Sequence, residues 1–228
     1  MSFEYIKENL GSLLSEIKSA EKKYGREITL VAVTKSGSDE ELLALAESGI
    51  GDIGENRPQE LRRRGDLLRD AGFCPRLHEI GNLQRNKVRQ IISDVHLIHS
   101  LDSLPLAEEI DRQAKKVSRI VDVLVEINSA GEEQKGGILP ECAEEFILSL
   151  KGLTSIRVVG LMTMGPVVSD PEMLRPYFKA TKALYDDLIE KSLLEGGILS
   201  MGMSDSYTVA IEEGSTLVRV GRKLFIEN

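Results

Sequence analysis

A single closed (β/α)8 barrel of the TIM type, preceded by one extra helix, is the fold class that this sequence predicts. Three observations carry it: eight short apolar runs of strand character, amphipathic stretches of helical period between them, and no Pro-, Gly- or Ser-rich linker dividing the 228 residues. The first element is a helix over residues 2–24, polar at its start and apolar at helical spacing. The eight runs then follow at 28–34, 52–55, 76–80, 95–100, 121–127, 158–163, 198–201 and 217–220. Runs such as 28–34 and 158–163 are too continuously apolar for a strand with one wet face, as expected of parallel strands covered on both sides. Between them, 39–48, 104–117, 141–150 and 173–194 read as helices, as does the stretch holding Glu60, Arg62 and Asp66. A further helix is expected after the third run, and a short one from Ser204 to about residue 213. The rival architecture is an open doubly wound sheet. No Gly-x-Gly-x-x-Gly follows the first strand, which disfavours its dinucleotide-binding version.

Composition excludes several classes of function. A formal charge of −8 opposes attraction to phosphate backbones, and the cluster Arg62-Arg63-Arg64 lies among acidic residues, so nucleic acid is not an expected partner. No apolar run approaches the ~20 residues of a membrane span. The segment Met1-Ser2-Phe3-Glu4-Tyr5-Ile6-Lys7 lacks the basic-then-apolar pattern of a secretory leader, so a cytoplasmic protein is expected. Cys74 and Cys142 stand far apart, outside any metal-ligand spacing, and read as structural thiols.

Candidate chemistry gathers at the predicted carboxyl ends of the strands, where barrels build their active sites. Strand alternation puts Val31, Val33 and Lys35 on one face. An inward lysine there would be partly desolvated, which favours the neutral amine and makes it a nucleophile toward an aldehyde. A strand-end lysine that merely snorkels to solvent is the plainer alternative. After the seventh strand, Ser204 is read as the N-cap of the short helix, and Gly202 permits close backbone approach. Arg219 and Gly221 share a face of the eighth strand. Loops after strands seven and eight often bind phosphate in such barrels, which points to Ser204 and the Gly221-Arg222 backbone, unless these are an ordinary cap and a surface arginine. Asn56 after the second strand, and the polar segment from His78 to Lys87 around the third, fall at the same end.

Six ordered motifs then resemble one family. They are Ala32-Val33-Thr34-Lys35; Gly54-Glu55-Asn56 with Gln59-Glu60; His78-x-Ile80-Gly81-x-Leu83-Gln84-x-Asn86-Lys87; Gly160-Leu161-Met162-Thr163-Met164; Ser200-Met201-Gly202-Met203-Ser204; and Gly214-Ser215-Thr216-x-Val218-Arg219-x-Gly221. Together they span nearly the whole chain and resemble the pyridoxal 5′-phosphate (PLP) homeostasis proteins. The resemblance implies that Lys35 holds PLP as a Schiff base and that Ser204 and the Gly221 region hold its phosphate. It also implies that Arg219 faces the pyridine nitrogen and that Asn56, His78 and Met201 line the cofactor. The sequence departs from the usual family pattern at Leu77, commonly tryptophan, at Glu79, commonly phenylalanine, and at Ile226, commonly glycine.

The same barrel resembles the N-terminal domain of alanine racemase, so a PLP-dependent amino-acid racemase stands as the enzyme alternative. Racemases of that type add a β-rich domain that supplies a tyrosine as second base, whereas this chain stops at Asn228, just past the eighth strand. An arginine at the ring nitrogen would also weaken the ring as an electron sink. The expectation is therefore a monomeric PLP carrier or regulator, acting indirectly on amino-acid metabolism and meeting PLP-dependent apoenzymes transiently. A cofactor-free Schiff-base aldolase would use the lysine too, and a phosphorylated substrate would be needed to explain the phosphate loop.

Overall fold

The computed structural model describes residues 3–132, 134 and 136–227, and the predicted barrel closes in it. The strands are β1 (Thr29–Val33), β2 (Asp52–Glu55), β3 (Arg76–Glu79), β4 (Val95–Leu101), β5 (Val121–Glu126), β6 (Ile156–Met162), β7 (Ile198–Ser200) and β8 (Leu217–Val220). All pair in parallel and in chain order, and β8 returns to β1 with Val31 opposite Arg219. Around them lie α1 (Glu4–Tyr24), α2 (Asp39–Glu47), α3 (Pro58–Asp70), α4 (Leu104–Lys116), α5 (Ala143–Ser149), α6 (Arg175–Glu190) and α7 (Tyr207–Glu212). Among the described residues, no helix is long and apolar enough to cross a membrane.

Strand alternation sorts the core into two layers. Val31, Leu97, Leu124 and Leu217 fill the barrel interior, while Ile53, Ile98, Val123, Val125 and Leu199 face the helices. Helix α1 presents Ile6, Leu10, Leu13 and Ile17, spaced by three or four residues, to Ile28, Leu30, Val218 and Val220, and so covers the seam where β8 meets β1. Gly160 is required by close approach, because a Cβ there would lie 1.7 Å from the Ile198 carbonyl oxygen on the neighbouring strand.

Three expectations are corrected. The helix expected after β3 is a 3-10 turn, Arg85–Gln90, of which only Val88 is buried, too small an apolar stripe to hold an α-helix on the barrel. The stretches 141–150 and 173–194 are shorter α-helices preceded by 3-10 turns, Pro140–Cys142 and Pro171–Leu174. A proline stands in the first turn of α6, where its fixed φ and missing N–H cost nothing. The third concerns Ser204, which is not an N-cap. Residues 204–206 form a turn closed by donation from the Ser206 and Tyr207 N–H groups to the Met203 carbonyl, and the helix begins at Tyr207 with Ser206 at the cap position.

Candidate functional site

The carboxyl ends of β1, β7 and β8 meet at one corner of the barrel mouth. Gly221, just past β8, lies so close to β1 that a Cβ there would sit 2.8 Å from the Val33 carbonyl oxygen. Its N–H donates to the Ser204 hydroxyl at 3.2 Å, joining the loops after β7 and β8. Ser204 is thus buried by this loop contact rather than by capping a helix. Lys35 stands two residues beyond Val33. It departs from the expectation of a desolvated amine, because the turn closed by Gly37 N–H to Thr34 O (2.9 Å) carries it off the sheet, where it is exposed. Asn56 follows β2, half-buried, with its backbone packed on that of Gly81 after β3.

Arg219 points into the barrel, as its register with Val31 requires, and is buried. It donates to the Ser200 hydroxyl and, at 3.1 Å, to the Thr163 carbonyl. From Ser200 a polar chain crosses the interior. His99 Nδ1 lies 3.1 Å from Ser200 Oγ, His99 Nε2 lies 3.0 Å from His78 Nδ1, and His78 Nε2 lies 2.8 Å from Asp52 Oδ1. With both rings neutral, one direction of donation satisfies every atom: Arg219 to Ser200, Ser200 to His99, His99 to His78, His78 to Asp52. Burial pushes His99 well below the ordinary histidine range, with the positive groups around it adding to the effect. Burial opposes ionisation of Asp52, yet hydrogen bonds from His78 and Arg76 outweigh it and hold the carboxyl below its ordinary value. Burial also pulls Arg219 down to about 10. His78 therefore spends both ring nitrogens inside the protein, three hydrogen bonds from Arg219, rather than at the mouth beside Lys35.

Met201 is placed differently from its expectation. Ser200 faces inward, so alternation turns the Met201 side chain into the helix-facing core beside Val209 and Ala210, and only its backbone adjoins the mouth. The polar segment after β3 lines a groove of about 440 Å³, where Asn82, Gln84 and Asn86 face Asp102 and Ser103. Sequence reasoning missed the inner residues Asp52, His99, Ser200 and Glu126. Glu126 ends β5 facing inward, and burial, reinforced by Asp102 and opposed by Arg219, raises its carboxyl above the ordinary value. The readable signal for all four was a polar residue on the inward phase of an apolar strand. Arg64 was missed as well, although Leu61, Gly65 and Leu68 put it on the buried stripe of α3.

Comparison with known proteins agrees with this fold. The family described as "Alanine racemase, N-terminal domain" matches residues 9–228. A "Pyridoxal phosphate homeostasis protein" of Aquifex aeolicus (strain VF5) is 40% identical over 223 residues, covering 96% of this chain and 97% of that protein. One from Helicobacter pylori (strain ATCC 700392 / 26695) is 33% identical over 225 residues, covering 97% and 98%. Among solved structures, PipY of Synechococcus elongatus PCC7942 with PLP bound superposes with a TM-score of 0.85 at 29% identity, over 97% of this chain and 100% of that one. An alanine racemase of Clostridium difficile 630 shares the fold at a TM-score of 0.77 and 20% identity, and the match covers 97% of this chain but 60% of the racemase. With a corner of donors at the β8–β1 seam and end-to-end similarity to these relatives, the chain belongs to the pyridoxal phosphate homeostasis protein family, on the alanine racemase N-terminal barrel.

Proposed function

We propose that this protein holds PLP as a Schiff base on Lys35 and acts in PLP homeostasis as a cytoplasmic monomer, touching amino-acid metabolism indirectly. Bound there, PLP supplies an electrophilic aldehyde that a lysine amine can hold covalently. The observation that carries the reading is the corner where Ser204, Gly221 and the end of β1 are in contact, two residues from Lys35. Its donors suit a phosphate: a serine hydroxyl and backbone N–H groups of the loops after β7 and β8. Gly221 fits this role because its side-chain space is taken by Val33, leaving only backbone to face a ligand. Arg219 offers the ring nitrogen a charged donor, Asn56 borders the same mouth, Met201 contributes through its backbone, and His78 acts on Arg219 through His99 and Ser200.

A carrier is favoured over a racemase by what Arg219 and the tyrosines do. At about 10, Arg219 stays charged at neutral pH, so a ring nitrogen facing it stays unprotonated and the ring is a poor electron sink. Tyr207 gives its hydroxyl to Glu16 of α1, and Tyr5 gives its own to Glu41, so neither aims at Lys35. Transient transfer to PLP-dependent apoenzymes is the use that a carrier implies. The test is the visible spectrum of the purified protein, followed by borohydride reduction and peptide mapping. A reduced adduct on Lys35, absent from Lys35→Ala, is expected; an adduct on another lysine, or none, would sink the assignment.

A further inference from the structure

The turn that carries Lys35 is gripped from beneath by a single buried side chain of α3. Arg64 donates through Nη1 to the Thr34 carbonyl and, at 3.0 Å, to Glu55 Oε1; through Nη2 it donates to the Gly37 carbonyl at 2.7 Å. Those two carbonyls bracket Lys35 and Ser36. Glu55 also accepts from the Thr34 hydroxyl at 2.5 Å, so carboxylate, hydroxyl and guanidinium form one closed set. All three residues are out of solvent: Arg64 is 7% exposed, Glu55 1% and Thr34 0%. The turn is fixed on its other sides as well. Ser38 and Glu41 form a reciprocal capping box that starts α2 directly after it, and a Cβ on Gly37 would lie 2.7 Å from the Phe225 ring. Within this locked frame the side chains of Lys35 and Ser36 are exposed, and Lys35 alone of the two carries an amine.

An ion pair buried between a helix and a sheet is a weak source of stability, because desolvation cancels most of its attraction, and apolar side chains would cover the seam as well. What a guanidinium alone can do is hold two carbonyls at fixed separation with a planar fork of donors. We propose that Arg64, oriented by Glu55, is a positioning residue that sets the Lys35 turn so that the amine meets a bound aldehyde in attacking geometry. The inference rests on the Schiff-base reading of Lys35. In that step the neutral amine nitrogen of Lys35 bonds to the aldehyde carbon, and both amine hydrogens leave with the aldehyde oxygen as one water. Nothing is oxidised or reduced.

The test is stopped-flow absorbance of PLP-free full-length protein mixed with saturating PLP, for wild type, Arg64→Lys and Arg64→Met. Noncovalent PLP affinity is measured in parallel for Lys35→Ala and for Lys35→Ala with Arg64→Met. A misplacement of about 1 Å costs on the order of 100-fold in rate. Both Arg64 variants are therefore expected to form the Schiff base at least about tenfold more slowly, Lys no better than Met, since a point charge cannot bridge two carbonyls. In the Lys35→Ala background the same change should alter noncovalent affinity by less than about twofold, an effect too small to register as a lost contact. Arg64→Lys keeps the charge and serves if Arg64→Met does not fold. An unchanged rate in either variant overturns the proposal, as does an equal loss of noncovalent affinity, which would make Arg64 a general support of the pocket. Absence of a borohydride-trapped adduct on wild-type Lys35 would instead remove the Schiff-base reading, and this proposal with it.

Discussion

Ser204 shows how one hydroxyl acquires a role from its loop rather than from its helix. It lies in a turn ahead of α7, where it accepts the Gly221 N–H, so its position records the distance between two strand ends. A phosphate docked there would exchange that internal bond for charge-assisted ones, which are roughly twice as strong as neutral ones. Ser204→Ala is therefore expected to weaken PLP by about 1–2 kcal/mol while leaving pyridoxal, which lacks the phosphate, nearly unaffected. Titration of both ligands followed by fluorescence checks this, and equal losses would remove Ser204 from a phosphate site. Lys35 was legible because strand phase and strand end are sequence properties. Its exposure was not, since the turn that lifts it off the sheet is made by Gly37 and held by Arg64, a residue 29 positions away along the chain.

At the scale of elements, α3 and the strands beneath it bury two carboxyl side chains next to each other. Glu79 occupies the helix-facing side of β3, next to Glu55 on β2, fully buried, with one carboxyl oxygen accepting from the Gly81 N–H at 3.2 Å. Its other oxygen has no hydrogen-bond partner among the described residues. Burial, with Glu55 adding to it against the Gly81 bond, pushes the carboxyl from 4.5 up to about 8. Between those values the folded protein holds a proton that the unfolded chain releases, so this group makes stability fall as pH rises through the window. Below the unfolded value it costs nothing of this kind, and above about 8 the cost is complete. Glu79→Gln should flatten that decline and stabilise the protein by about 1–3 kcal/mol at the alkaline end. Urea unfolding of both proteins across the window measures it, and parallel curves would show that Glu79 is ionised with a partner in solution. The site of this strain was visible in sequence as an acidic residue in a strand; its burial depended on α3 packing over it.

Over the whole molecule, one continuous sheet joins every element, and α1 closes the seam beside the candidate site. We expect the chain to unfold as a single domain. Leu10 is 2% exposed between α1 and the seam, so Leu10→Ala should cost about 2–5 kcal/mol. Calorimetry should show one transition moved to lower temperature, not a separate melting of the helix; two resolved transitions would mean that α1 is an independent unit. The carrier reading makes a second prediction at this scale. With PLP bound, the protein should exchange the Cα proton of alanine in deuterated water far more slowly than ~1 per second, the lower edge of ordinary enzymatic rates, because Tyr5 and Tyr207 are turned to Glu41 and Glu16 and, on this reading, Arg219 at the ring nitrogen would make the ring a poor electron sink. Turnover at or above that rate, chirally scrambled and lost in Lys35→Ala, would establish the racemase instead.

The sequence by itself determined the barrel, the order of its strands, the covering helix and the end at which Lys35, Asn56, Ser204 and Gly221 gather. It could do so because apolar period and strand phase are local, and closure of eight parallel strands leaves little choice of neighbour. Only the tertiary structure decided which polar side chains meet. Asp52, His78, His99, Ser200 and Arg219 come from five different strands, and their hydrogen bonds depend on strand register across the interior. Arg62, Arg63 and Arg64 are identical in type and adjacent in sequence, yet the wheel of α3 turns one toward buried carbonyls and leaves its neighbours in water. A chain can specify such contacts without displaying them, because each needs a partner whose distance along the sequence says nothing about its distance in space.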